Sequence, residues 1–185
     1  MKTVEIYSYS ELSDEAKGNA YQNWLNKDRE FFYGDYMETI HKGLGHFGFD
    51  LTDWSFECWK ASNAYIKITS SHDEEIEELS GHDLANYLVT HFSDIWNKYG
   101  KKYVNLFNDG DCPLTGMCYD NSFIQIVNDF IKNPTNITFL ELMEKATMEL
   151  LSDMQNDYEY CESKEYFEQE AESNEYQYFE NGREY

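Results

Sequence analysis

The sequence predicts an α+β fold, a small antiparallel sheet packed with several helices and closed by an acidic C-terminal helix and strand. Short runs of alternating apolar and polar residues (3–9, 54–58, 64–69) are interspersed with longer runs whose apolar residues recur every three or four positions. A hydrophobic content of 41%, with 17% aromatic residues, is enough for a packed core. No internal repeat and no Pro/Gly/Ser linker interrupts the 185 residues, so one domain over 1–185 is expected, with 157–185 as an acidic C-terminal element.

From Thr3 to Tyr9, Val4 and Ile6 alternate with Glu5 and Tyr7 as in a strand. Ser13 is placed as an N-cap, with Asp14 and Glu15 in the first turn, where the helix dipole favours negative charge. Ala16, Ala20, Tyr21, Trp24 and Leu25 give that helix an apolar face. A second helix carries the stripe Tyr33, Met37, Ile40, Leu44, Phe47, and Gly48 closes it. Trp54, Phe56 and Cys58, then Ala64, Ile66 and Ile68, alternate with polar neighbours across a short link (Lys60 to Asn63) and predict a hairpin.

From Asp83 a third helix places Leu84, Leu88, His91, Ile95 and Tyr99 on one side, with His91 expected as a core residue. Gly100 ends it, and Lys98, Lys101 and Lys102 suit its C-terminal dipole. Tyr103 to Phe107 reads as a short strand, Asn108 to Asp111 as a turn, and Cys112 to Asp120 as a loop. A helix over 121–132 uses Phe123, Val127, Phe130 and Ile131 and stops at Asn133-Pro134. Thr138 and Glu141 form a capping box for a helix that buries Phe139, Met143, Ala146, Leu150 and Met154. Ser163 caps a further helix, and Tyr176 to Phe179 predicts a strand before the Asn181-Gly182 turn.

The formal net charge is −22, from 36 acids against 14 bases. Such a chain repels phosphate, which disfavours nucleic acid and anionic membrane as ligands and favours a basic partner. No secretory signal and no membrane-length apolar run is visible, so a cytoplasmic setting is expected, with four reduced cysteines. Charge is densest from Asp157 to Tyr185, where ten carboxylates face two cations among six tyrosines and two phenylalanines. There Glu165, Glu168, Glu172 and Glu175 step by three and four residues, as do carboxylates on one helix face, with Glu159 and Glu162 upstream. A second acidic cluster comprises Asp73, Glu74, Glu75, Glu77 and Glu78. Residue by residue, these charges read as a solvated surface; their sum points to a partner-binding surface whose carboxylates stand in for nucleic-acid phosphates.

No catalytic residues are assigned. Nucleophile, phosphate-loop and dinucleotide motifs are absent, and pairs of carboxylates carry no information among 36 acids. Cys112 and Cys118 are too far apart for the usual zinc spacing, and Asp109 and Asp111 lack the remaining ligands of a calcium loop, so neither metal nor cofactor is expected. A metal-dependent enzyme using that loop is the alternative of a different class.

Three stretches carry a resemblance: Glu11 to Lys17 with Ala20 after the opening strand, Asp111 to Gly116 with Tyr119-Asp120, and Tyr176 to Arg183. Together they resemble a group of small acidic, antitoxin-like proteins of phages and mobile elements, some similar to type II-A anti-CRISPR proteins. This implies a phage protein that evades host defence, an inhibitor acting in the bacterial cytoplasm on an RNA-guided effector nuclease with its guide RNA. Such nucleases hold their heteroduplex in a positively charged channel and read a PAM with arginines. An antitoxin, or an anti-restriction DNA mimic with another basic partner, is the alternative. A structural or assembly accessory with no inhibitory role, self-associating through the tail aromatics as a homodimer, is a further one.

Overall fold

The computed structural model describes residues 5–27, 31, 33–55, 65–92, 114–116 and 119–185. The architecture is α+β, and the chain divides into two compact units: Met1–Phe31 with Asn156–Tyr185, and Phe32–Gln155. No helix among the described residues is long and apolar enough to cross a membrane.

The first unit begins with β1 (Tyr7–Ser8), a 3-10 turn (Tyr9–Glu11) and α1 (Asp14–Leu25). The predicted strand is cut short because Ser8 starts a capping box: its N–H and hydroxyl both donate to Glu11 Oε2 at 2.8 Å, which turns the chain after two extended residues. Thr3 and Val4 lie outside the described residues. Ser13 caps α1 as expected, accepting from the Ala16 N–H at 3.2 Å, and Ala16, Ala20 and Trp24 are buried. The unit is completed by the last turns of a long helix (residues 156–161), a helix over Lys164–Ser173 and a strand over Gln177–Tyr178. Its core joins Tyr9, Leu12, Ala16, Ala20 and Trp24 to Phe167, Ala171 and Tyr178.

The second unit contains α2 (Gly34–His46), β2 (Phe49–Ser55), β3 (Tyr65–Ser70), α3 (Glu74–Glu77), α4 (Gly81–His91) and α5 (Asp120–Lys132). It also holds most of α6 (Phe139–Cys161), which ends in the first unit. Met37, Ile40, Leu44 and Phe47 are buried as their spacing requires, while Tyr33, before the first turn of α2, is half exposed. Gly48 follows with a left-handed φ of 78°, which suits glycine.

β2 and β3 pair antiparallel, with Phe49 opposite Ser70 and Ser55 opposite Tyr65. The strand begins earlier than its alternation indicates because a bulge between Leu51 and Asp53 breaks the period of two, and Thr52 Oγ1 donates to the Lys67 carbonyl at 3.0 Å. This extra residue keeps Phe49, Leu51 and Trp54 on the covered side while Asp50 and Asp53 face solvent. Phe56, Cys58, Ala64 and the 60–63 link lie outside the described residues, as do Ile95, Lys98, Tyr99, Gly100 and the whole of 101–113.

His91 is exposed, contrary to its expected place in the core: α4 presents Leu84, Ala85 and Leu88 inward, and His91 stacks on Tyr87 at 4.2 Å. The Thr138–Glu141 capping box forms reciprocally at 2.7 and 3.2 Å and opens α6, where Phe139, Met143, Ala146, Leu150 and Met154 are all buried. Phe49 and His72 pack on the Phe139 ring at 4.8 and 5.4 Å between centroids. The Leu114-Thr115 stretch is tied to α5 by Asp120, a fully buried carboxylate. It accepts the N–H groups of both residues at 2.7 Å, the Thr115 hydroxyl at 2.6 Å and the Thr39 hydroxyl at 3.2 Å. Four donors hold a charge that would otherwise be costly to bury.

Candidate acidic partner-binding surface

The predicted carboxylate stripe lies on α7 (Lys164–Ser173). Ser163 accepts from the Tyr166 N–H at 3.1 Å and starts the helix where expected. Its rotation is set by Phe167 and Ala171, both buried. The Phe167 ring lies 5.1 Å from Trp24, 5.2 Å from Tyr9 and 5.6 Å from Tyr21, so three aromatics from the N-terminal segment clasp one from α7. Glu165 and Glu172 are thereby turned to solvent.

Glu168 sits at the margin of that face, half-buried, where it accepts the Tyr9 hydroxyl at 3.0 Å and pairs with Lys164 at 3.6 Å. Glu175 is exposed but lies beyond the helix, in a left-handed conformation (φ 53°), because α7 closes at Ser173. The stripe is therefore three residues on the helix and one in the turn after it. Upstream, Glu159 is exposed near the end of α6, and Glu162 is half-buried, its backbone carbonyl accepting the Tyr21 hydroxyl at 2.7 Å.

Glu170 was not singled out by spacing, yet it is the inward carboxylate of α7. It accepts from Trp24 Nε1 at 3.2 Å and from the Tyr176 hydroxyl at 2.9 Å. The available signal was its place one step before Ala171, at the edge of the apolar face. β4 (Gln177–Tyr178) then pairs antiparallel with β1, Tyr7 opposite Tyr178. The Asn181-Gly182 turn follows, with Gly182 buried at φ 82°. Beside this sheet an open groove of about 830 Å³ is lined by Glu5, Glu15 and Glu180, with Arg183 laid 4.6 Å over the Phe179 ring. These three carboxylates extend the acidic surface beyond the predicted residues.

The acidic setting also acts on the tyrosines. Burial, reinforced by the Glu168 hydrogen bond, pushes the Tyr9 phenol well above its ordinary range. Burial also raises Tyr178 and Tyr176, the latter with help from its bond to Glu170. Tyr7 is raised by its hydrogen bond to Glu5. Glu11 moves the other way, held low by the Ser8 N–H and then the Ser8 hydroxyl.

The second predicted cluster belongs to the other unit. Asp73 precedes α3, its carbonyl accepting from Ile76 and Glu77, and Asp73, Glu74, Glu75 and Glu78 are exposed while Glu77 is half-buried. By sequence the first unit carries sixteen acids against six bases in 61 residues, and the second twenty against eight in 124. The charge surplus is thus −10 and −12, densest in the unit that holds α7. Among the described residues no group of three or more His, Cys, Asp or Glu is placed to hold a metal ion; Asp109, Asp111 and Cys112 lie outside them, as does Cys118. Comparison of the chain with protein-family models, with curated proteins and with solved structures finds no match.

Proposed function

We propose that this protein is a non-catalytic inhibitor of host defence, encoded by a phage and acting in the host cytoplasm. It captures a basic nucleic-acid-handling protein through the carboxylates of α7 and its flanks. The observation that carries the reading is the division of labour on α7: Phe167, Ala171 and Glu170 hold the helix in place, whereas Glu165 and Glu172 face solvent. Glu165 and Glu172 stand seven residues apart, about 10 Å along the helix axis, and Glu175 continues their line past the end of α7. Carboxylates held open to solvent on one side offer lysines and arginines what a phosphate backbone offers them.

The resemblance favours a type II RNA-guided nuclease as the partner. Its DNA channel is basic, so an acidic competitor would be steered to it by charge. The test is capture of the effector, followed by DNA cleavage at low and high salt, with the wild type and a Glu165→Gln/Glu172→Gln/Glu175→Gln variant. All three positions are exposed, so the variant keeps its fold. Loss of capture and of inhibition supports the reading; unchanged capture at low salt rejects it. If the effector is not captured but a toxin or a restriction enzyme is, the antitoxin or anti-restriction alternative takes its place.

A further inference from the structure

The groove of about 830 Å³ between α1 and the turn after β4 is lined by three carboxylates and one cation: Glu5, Glu15, Glu180 and Arg183. Local structure accounts for two of these four. Glu15 stands in the first turn of α1, where the helix dipole favours it, and Glu5 accepts the Tyr7 hydroxyl at 2.9 Å. It does not account for the other two. Among the described residues the exposed Glu180 carboxylate makes no hydrogen bond and no ion pair. Arg183 pairs with none of the three carboxylates around it; its guanidinium lies 4.6 Å over the Phe179 ring instead. The groove thus keeps its negative charge unneutralised, and it contains an aromatic face that already takes a guanidinium.

We propose that this groove is a docking site for an arginine-bearing segment of the basic partner, whose guanidinium replaces that of Arg183 on Phe179 and meets the Glu15 and Glu180 carboxylates. The inference deepens the reading above, from which it takes only that the partner is basic. Charge complementarity selects a cation, and the ring then selects between cations. A planar guanidinium stacks on an aromatic face while its in-plane N–H groups reach carboxylates, whereas an ammonium is a compact, strongly hydrated point charge. Arg183 is exposed, so moving it aside uncovers no core.

Backbone amide shifts of the full chain, followed by NMR during titration, test the proposal. The probes are two capped pentapeptides of equal charge, Gly-Arg-Gly-Arg-Gly and Gly-Lys-Gly-Lys-Gly. The arginine peptide is expected to move Glu15, Asn19, Phe179 and Glu180 and to bind about two- to fivefold more tightly than its lysine twin, the ratio that one exposed cation–π contact supplies. Phe179→Leu should bring that ratio to one while both peptides still bind. Arg183→Ala removes a positive charge, which helps both peptides, and frees the ring, which helps only the arginine peptide, so the ratio should widen. The Glu165→Gln/Glu172→Gln/Glu175→Gln variant, whose groove is intact, should keep the ratio. Equal binding of the two peptides to the wild type, shifts located elsewhere, a ratio that survives in Phe179→Leu or one that fails to widen in Arg183→Ala would each overturn it. Capture of the effector together with equal peptide binding would sink the groove and leave the function standing. An arginine preference in the groove with no effector captured would support the groove and remove that target.

Discussion

A single hydrogen atom decides the fit of the Asn181-Gly182 turn. At Gly182 a Cβ would enter the van der Waals shell of the Ala16 carbonyl and lie 3.1 Å from the Ala20 nitrogen, at a φ of 82° that already disfavours L side chains. Gly182→Ala should cost more than the roughly 1–2 kcal/mol of the left-handed conformation alone, because the backbone of α1 cannot yield as a side chain would. Gly18 is the control: it sits in the same helix with open space around its Cβ position, and Gly18→Ala should stabilise by about 0.5–1 kcal/mol. Urea midpoints of the two variants, moving in opposite directions, check both. The raised tyrosines supply a second prediction. An unfolded phenol titrates near 10.0, and the folded Tyr9, Tyr176 and Tyr178 above it. Their contribution to stability is whole below that pH and is lost as pH climbs toward their folded values. The share of tyrosinate absorbance that belongs to these three should therefore appear together with the loss of helical circular dichroism in one cooperative alkaline step. Tyr9→Phe, with one linked proton fewer, should make the fall of stability with pH shallower.

Helices were legible where their signals were local. Ser13, Ser163 and the Thr138–Glu141 pair all cap as read, since a cap and its partner lie within three residues. Replacing Ser163 or Thr138 by alanine should each lower stability by about 1 kcal/mol, measured by thermal unfolding. The sheet was less legible. Thr52 is one residue too many in an alternating run, and no residue type announces it, so the pattern was detected only downstream of the bulge. The pairing of β1 with β4 was also hidden, because two-residue strands carry almost no periodicity and their partnership is settled by the aromatic cluster beneath them. The acidic stripe was half legible. Spacing placed Glu165, Glu168 and Glu172 together, but only the packing of Tyr9 and Trp24 shows that Glu168 and Glu170 serve the core. Asp120 was visible only as part of a resemblance, because its donors include backbone groups that sequence does not display.

Across the whole molecule, the charge of −22 opposes folding as well as guiding association. Both units carry a surplus, so screening should stabilise the protein while weakening any capture that runs on charge. Raising sodium chloride from about 0.01 to about 1 M shortens the screening length from roughly 30 to roughly 3 Å. Over that range the melting temperature should rise, and a melting temperature that falls would show that attractive ion pairs outweigh the repulsion. Among the described residues, Lys27–Glu184, Lys42–Glu38, Lys132–Asp129 and Lys164–Glu168 pair at the surface, where each contributes little.

The assembly of one core from residues 5–27 and 156–185 also has a consequence during synthesis. Trp24, Tyr9 and Ala20 emerge from the ribosome well before Phe167 and Tyr178, with the 124 residues of the second unit translated in between. At elongation rates of about 5–20 residues per second that interval is on the order of ten seconds. Throughout it the N-terminal helix has no mate for its apolar side, and this unit can close only once Phe167, Ala171 and Tyr178 have been made.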